Sequence, residues 1–140
     1  MQEIEIALDD LRSRTFVAAR LDTLEFLRRS GRMNRFIAGI GSILQLKPIL
    51  TMQNGQPGSE RVRTTHTAET RLLKMLEERQ PIEHFSLLHT NSSEQALAFR
   101  KKAADLIPTE VTYSMDITPV IGAHLGPGAV GFAIVSKKPA

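Results

Sequence analysis

Apolar and polar positions follow two different periods along this chain, and each change of period marks an element. Over residues 2–13, "QEIEIALDDLRS", Ile4, Ala7, Leu8 and Leu11 fall on one face at helical spacing, which predicts an amphipathic helix. The dense apolar run 15–21, "TFVAARL", carries β-branched residues and reads as a buried strand. Asp22 with Glu25 makes a capping-box-like start for a helix through "TLEFLRRS", which Gly31 ends. Asn34 is placed to cap a further helix, "RFIAGIGSILQL", whose interior Gly39 and Gly41 invite the approach of another backbone or a ligand.

Strand-like runs at 47–53 and 57–64 flank Asn54-Gly55, the strongest short signal for a β-hairpin, with the register of the loop left open. Residues 67–79 form a helix with Leu72, Leu73, Met75 and Leu76 on its buried side, and 84–89, "HFSLLH", form a strand. Ser92 with Gln95 sets a capping box for a helix that Pro108 closes. Residues 110–117 alternate Val111, Tyr113, Met115 and Ile117 on one side, a half-buried strand, and 129–137 supply the last strand. Six strands interleaved with five or six helices, one hairpin among them, predict an α/β fold: a two-layer domain with a mixed six-stranded sheet and packed helices.

Composition adds bounds. A chain of 140 residues is one ordinary domain, and a globule of that size buries roughly 70% of its unfolded surface. Cysteine is absent, which excludes disulfides and zinc fingers and agrees with a reducing compartment. No apolar run is long enough for a transmembrane helix and no secretory signal is present, so a cytoplasmic chain is the expectation. The net charge is only +3. Arg28, Arg29, Arg32 and Arg35, and then Arg100, Lys101 and Lys102, read as solvated helix faces. With six Phe, one Tyr and no Trp, the chain lacks the stacking residues of a nucleic-acid binder.

Catalytic patterns are missing. There is no Walker A sequence, no G-x-S-x-G, and His66, His84, His89 and His124 lack the spacing of a helical metal pair. Asp9-Asp10 and Glu77-Glu78 are helix neighbours whose side chains point apart. The segment 119–131, "PVIGAHLGPGAVG", concentrates four of the nine glycines, two of the seven prolines and one histidine. "GPGAVG" matches the dinucleotide fingerprint letter for letter. That fingerprint needs a strand before it and a helix after it, the reverse of the order here. Thr118 and Pro119 open a short helical turn ending at Gly126. Gly122 removes bulk one turn into it, and His124 lies beside Val120, Ile121 and Leu125. Two readings stand at this point: a helix cap with a hydrogen-bonded histidine, or a polar handle beside an apolar wall that suits a carboxylate with a long tail.

Three blocks in order, "DTLEFLRRSGRM" (22–33), "GSILQLKPILT" (41–51) and "PVIGAHLGPGAVG" (119–131), resemble the signature blocks of the DegV family of bacterial fatty-acid-binding proteins. The resemblance spans nearly the whole chain and implies that residues 1–140 are a DegV-like C-terminal domain, starting within the interdomain helix and without the N-terminal lipid-binding domain. It implies a long-chain fatty acid as ligand, no cofactor, no metal and no catalytic residue. It also implies a carrier that presents the acid to the catalytic subunit of a fatty acid kinase. The family's arginine and histidine near the lipid carboxylate map onto Arg32 and His124. Gly122, Leu125, Ile40 and Ile121 complete the implied lipid-binding set, with Ile37, Ile43, Leu44 and Val120 as further wall candidates. Ser30 departs from the family's first glycine, and Leu125 stands where relatives carry threonine, removing a hydroxyl. A domain cut from its partner exposes apolar surface, so a homo-oligomer is expected. The alternative is an interaction or oligomerisation module that binds no lipid without its N-terminal domain, docking through the basic helix around Arg28, Arg29 and Arg35. An enzyme using His124 as acid or base would need a partner group that the sequence does not offer.

Overall fold

The computed structural model describes residues 1–36, 46–109 and 112–138. The chain opens with helix α1 (Gln2–Arg14) and passes directly into strand β1 (Thr15–Arg20). Arg14 fastens this junction. Its guanidinium donates to Asp10 Oδ2 at 2.8 Å, to Glu83 Oε2 at 2.7 Å and to the Ser136 carbonyl at 2.7 Å. The helix is where the sequence places it, but its apolar face is not covered: no residue of α1 is buried, and Ile4 and Leu8 stay 64% and 59% exposed.

Two short helices follow, α2 (Glu25–Arg29) and α3 (Met33–Phe36). Asp22 does not cap α2. Thr23 Oγ1 accepts the Glu25 N–H at 3.1 Å, while the Asp22 carboxylate is taken by Arg20 and faces Lys47. Gly31 ends α2 as expected, at φ +68°, with the Arg32 N–H returning to the Leu27 carbonyl at 3.0 Å. Asn34 sits inside α3 rather than capping it. Gly39 and Gly41 lie outside the described residues.

Strands β2 (Lys47–Gln53) and β3 (Gln56–Val62) form the hairpin. Asn54 and Gly55 are its two-residue turn, at φ +52° and +73°, which pairs Gln53 with Gln56 and settles the register. Helix α4 (Thr65–Glu77) is capped by Thr64, whose hydroxyl accepts the Thr67 N–H. Strand β4 (Ile82–His89), helix α5 (Ser93–Lys102), strand β5 (Thr112–Asp116), helix α6 (Pro119–Leu125) and strand β6 (Val130–Ser136) complete the order. The helix expected to run to Pro108 stops at Lys102, and a 3-10 turn (Ala104–Leu106) follows. Ser92 is the N-cap of α5 by position only. Its hydroxyl makes no cap bond, and Gln95 cannot close a capping box because its Oε1 accepts from Arg20 at 2.6 Å.

The strands form one mixed six-stranded sheet in the order β3-β2-β1-β6-β4-β5, with β4 and β5 the parallel pair and the other neighbours antiparallel. The β4-to-β5 crossover runs through α5, as a parallel connection requires. Helices α4 and α5 pack on one face, where Phe16, Ala18, Ile49, Phe85, Leu87, Phe132 and Ile134 meet Leu72, Met75, Leu76 and Phe99. Phe132 is the centre of that core, with the rings of Phe16, Phe85 and Phe99 at 6.2, 6.2 and 6.4 Å. A smaller cluster of Leu21, Leu24, Leu27, Leu50 and Ala129, with Met33 and Leu125 against it, holds α2 and α6 to the sheet.

Candidate functional site

The strand register decides what faces away from α4 and α5. Residues directly opposite each other in neighbouring strands share a face of the sheet. Leu50 pairs with Ala19, Ala19 with Gly131, Gly131 with Leu88, and Leu88 with Met115. A second row runs through Met52, Val17, Ala133 and Ser86. This second face is therefore nearly as apolar as the one that carries the core.

The first row is low in the middle. A Cβ on Gly131 would run into the Ala18 carbonyl and the backbone of Ala19, so no side chain rises between Ala19 and Leu88. The result is a groove of about 440 Å³. The sheet side is Val17, Ala19, Leu50, Met52, Leu88 and Met115, and Ile117, in the link between β5 and α6, closes it together with Ile121 and Leu125 of α6. Thr51, Asp116 and Thr118 are its polar contributions. Its size is within the ~300–1,000 Å³ common for small-molecule sites, and its lining suits a hydrocarbon.

What positions α6 over this face is the glycine-rich segment itself. Pro119 occupies the first turn of the helix, and Gly126 ends it at φ +75° with its N–H on the Gly122 carbonyl at 2.8 Å. Thr118 is the N-cap by position, without a hydroxyl bond. Side chains are shut out at both loop glycines: a Cβ at Gly126 would meet the Phe26 ring, and one at Gly128, φ +90°, the Asp22 carboxylate. Thr90, at the end of β4, binds this loop four times. Its hydroxyl donates to the Gly126 carbonyl at 2.6 Å and accepts the Ala129 N–H at 2.9 Å. Its backbone exchanges bonds with Gly128 and Ala129 at 2.9 and 3.0 Å.

Arg20 completes the fastening. It is 1% exposed and donates to Asp22 Oδ1 at 3.2 Å, the Gly128 carbonyl at 3.2 Å and Gln95 Oε1 at 2.6 Å, with Glu69 at 3.7 Å. Neither Thr90 nor Arg20 was singled out from the sequence. An arginine closing the apolar run "TFVAAR" was the available signal, since a charge there needs buried partners.

Of the residues expected at the site, Ile121 and Leu125 line the groove. Leu125 also packs against the smaller core cluster, so the apolar residue at this position serves both. His124 is half-buried on α6, and its Nδ1 is enclosed with no hydrogen-bond partner among the described residues. Arg32 is exposed just beyond α2 and, among the described residues, reaches only the Ser30 carbonyl, at 3.4 Å. No hydrogen bond joins Arg32 to His124 among the described residues. Arg28 and Arg29, by contrast, both hold Glu25, at 2.7 and 2.6 Å, and these bonds, Arg28's first, lower the Glu25 pKa to about 2. Space is not what Gly122 supplies: among the described residues an added Cβ would find only the Ile117 carbonyl, 4.0 Å away. Ile40 lies outside the described residues, as do Ile37, Ile43 and Leu44. Val120 is 76% exposed beside the groove rather than in its wall.

At the carboxyl ends of β4 and β5, His89 Nδ1 faces Asp116 Oδ1 at 3.5 Å and takes the Ser92 N–H at 3.4 Å. Among the described residues no cluster of His, Cys, Asp and Glu could hold a metal ion, and no helix is long and apolar enough to cross a membrane.

The sequence model described as "Uncharacterised protein, DegV family" matches residues 1–137. The chain belongs to the DegV family. A DegV domain-containing protein of Listeria innocua is 35% identical over 136 residues, covering 94% of this chain and 48% of the relative. Solved DegV structures share the fold. The fatty acid binding DegV family protein of Streptococcus agalactiae aligns at a TM-score of 0.84 and 25% identity, over 99% of this chain and 50% of that one. A DegV family protein of Thermus thermophilus, described by its fatty acid binding, aligns at 0.82 and 29% identity, over 98% and 51%. The chain spans about half the length of the curated relatives it matches.

Proposed function

We propose that this DegV domain binds a long-chain fatty acid, with the hydrocarbon tail lying in the groove on the open face of the sheet. One observation carries the reading: a continuous apolar groove of about 440 Å³ over the bare Ala19–Gly131 floor, on a face that α4 and α5 leave uncovered. The fatty acid binding of the Streptococcus agalactiae and Thermus thermophilus proteins supports the ligand class. In this reading the carboxylate lies toward α2 and α6. There the His124 Nδ1 lacks a partner and Arg32 is held by no carboxylate among the described residues. Residues 1–140 correspond to the C-terminal domain of longer relatives, and the other half contributes the remaining grip on the carboxylate. The domain is then a carrier that presents the acid to a fatty acid kinase and catalyses nothing itself.

A second reading has its own support. Ile121 is 53% exposed and Val120 76%, so the groove is open along α6. An interaction module that binds no lipid without the other half would look the same. The deciding experiment is organic extraction of the purified chain followed by mass spectrometry, together with titration of a fluorescent long-chain fatty acid. A stoichiometric fatty acid or saturable one-to-one binding supports the carrier reading. An empty extract with no saturable binding supports the module.

A further inference from the structure

The buried arginine at the end of β1 acts from the side of the sheet away from the groove. Arg20 follows Phe16 and Ala18 at strand spacing, and its cross-strand neighbours Ile49 and Val130 belong to the same core cluster, so its side chain lies on the face that α4 and α5 cover. There Gln95 of α5 accepts from Nη2 at 2.6 Å, and Glu69 of α4 lies 3.7 Å from the same nitrogen. Nη1 reaches out of that layer. It donates to Asp22 Oδ1 and to the Gly128 carbonyl, both at 3.2 Å. The Gly128 N–H is already on the Thr90 carbonyl at 2.9 Å, so this residue, in the link between α6 and β6, is held through both its backbone groups. Each carboxylate near Arg20 is shared with a lysine: Lys47 lies 3.7 Å from Asp22 and Lys102 2.6 Å from Glu69. The neutral acceptors, Gln95 and the Gly128 carbonyl, therefore supply part of what a buried guanidinium needs. Nε is buried without a partner among the described residues. The guanidinium thus sits where its two terminal nitrogens find these four partners rather than where all three nitrogens would be satisfied.

We propose that Arg20 is a positioning residue for the groove, an inference that rests on the fatty-acid reading above. From the α4–α5 face it fixes the Gly128 carbonyl, and with it the seat of α6, whose Ile121 and Leu125 wall the groove on the opposite face. Arg20 itself is not among the residues that line the groove. Thr90 holds the same loop from β4, but its bonds go to the Gly126 carbonyl, the Gly128 N–H and both backbone groups of Ala129, and they leave the Gly128 carbonyl to Arg20. Without the arginine the loop is free to turn about Gly126 and Gly128, both at positive φ, and the α6 wall moves off the Ala19–Gly131 floor. A planar fork suits the task, because two nitrogens on one rigid group reach the helix layer and the loop together, whereas a lysine offers a single nitrogen.

Two measurements on the full chain test this: titration with a fluorescent long-chain fatty acid, and amide hydrogen exchange at Gly126, whose N–H closes α6 on the Gly122 carbonyl. Arg20→Met keeps the buried stem and removes the fork. Arg20→Lys keeps the charge beside Asp22 and Glu69, and is the variant to read if the methionine does not fold. Phe99→Leu, a core truncation on α5, controls for lost stability alone. All are compared where urea unfolding shows them folded. Arg20→Met should weaken fatty-acid binding at least about fivefold, a usual size for a residue acting on a site through others, and Arg20→Lys should lose less. Exchange at Gly126 should quicken in both arginine variants. Phe99→Leu should leave affinity and Gly126 exchange as in the parent. Unchanged Gly126 exchange in the arginine variants would overturn the proposal, and so would an affinity loss no larger than that of Phe99→Leu. A parent chain that takes up no fatty acid would defeat the fatty-acid reading instead, and the Gly126 exchange would then decide the role of Arg20 by itself.

Discussion

The Thr90 hydroxyl and the Gly126 carbonyl are joined by a buried 2.6 Å hydrogen bond across 36 positions of sequence. With the Ala129 N–H on the same oxygen, one side chain at the end of β4 sets where α6 ends and β6 begins. Thr90→Val keeps the shape and strips both bonds. Each buried group left unpaired costs roughly 1–3 kcal/mol, so a loss of about 2–4 kcal/mol is expected in urea unfolding, and Thr90→Ser should recover most of it. A valine variant as stable as the parent would mean the loop is held by other contacts.

The glycines of the same segment should separate by role. At Gly128 the backbone is at φ +90° and a Cβ meets the Asp22 carboxylate, which is already engaged with Arg20. Gly128→Ala should destabilise by roughly 1–3 kcal/mol. Gly122 is helical with open space around it, so Gly122→Ala should stabilise by roughly 0.5–1 kcal/mol. Thermal unfolding of the two variants gives the comparison, and equal effects would contradict the assignment.

The contrast shows what was legible in the sequence. The positions of Gly126 and Gly131 relative to the helix and the last strand were readable, and so was the misfit of "GPGAVG" to a nucleotide loop, because periodicity and punctuation are local. Asn54-Gly55 likewise announced its turn. The groove was not readable. It exists because Ala19, Gly131 and Leu88 come from three strands and fall in one row, and the strand order that aligns them is a tertiary property. For the same reason Asp22 and Gln95 were misread as caps: each fits a local pattern, but buried Arg20 outcompetes the helix ends for both side chains. Van der Waals room around Gly122 was equally invisible until Ile117 was placed.

Glu25 should titrate far below an ordinary glutamate. Arg28 and then Arg29 hold its carboxylate, lowering its pKa from 4.5 to about 2. A lowered folded-state pKa means the stabilisation is fully present above pH about 4.5 and is lost as the pH falls through about 2. Carbon-detected NMR of the side-chain carboxyl follows it directly. Replacing Arg28 and Arg29 with glutamine should return the midpoint toward 4.5, and an unchanged low midpoint would point to another cause.

If the groove holds an acyl chain, Ile121 and Val120 should behave differently although they are neighbours. Ile121 lines the groove and Val120 does not, and both are exposed enough to accept a polar side chain without unfolding α6. Ile121→Asp sets a carboxylate against methylenes and should weaken binding of a fluorescent fatty acid at least about tenfold. Val120→Asp should be close to neutral. Equal affinities for the two variants would place the tail elsewhere.

Arg32 and Arg29 give the matching test at the polar end. Arg29 is committed to Glu25 at 2.6 Å, while Arg32 has, among the described residues, the Ser30 carbonyl at 3.4 Å as its one hydrogen-bond partner and no carboxylate. Arg32→Ala should therefore lower fatty-acid affinity more than Arg29→Ala does. Because Arg32 is exposed, the expected loss is modest: up to about fivefold, for an ion pair worth roughly 0.2–1 kcal/mol, and diminishing as salt is raised. The setting is the chain itself, titrated with a fluorescent long-chain fatty acid, so that both variants are read against the same parent. Equal retention by the two variants, at low salt and in that setting, would remove Arg32 from the carboxylate site and leave His124 as the polar group α6 contributes.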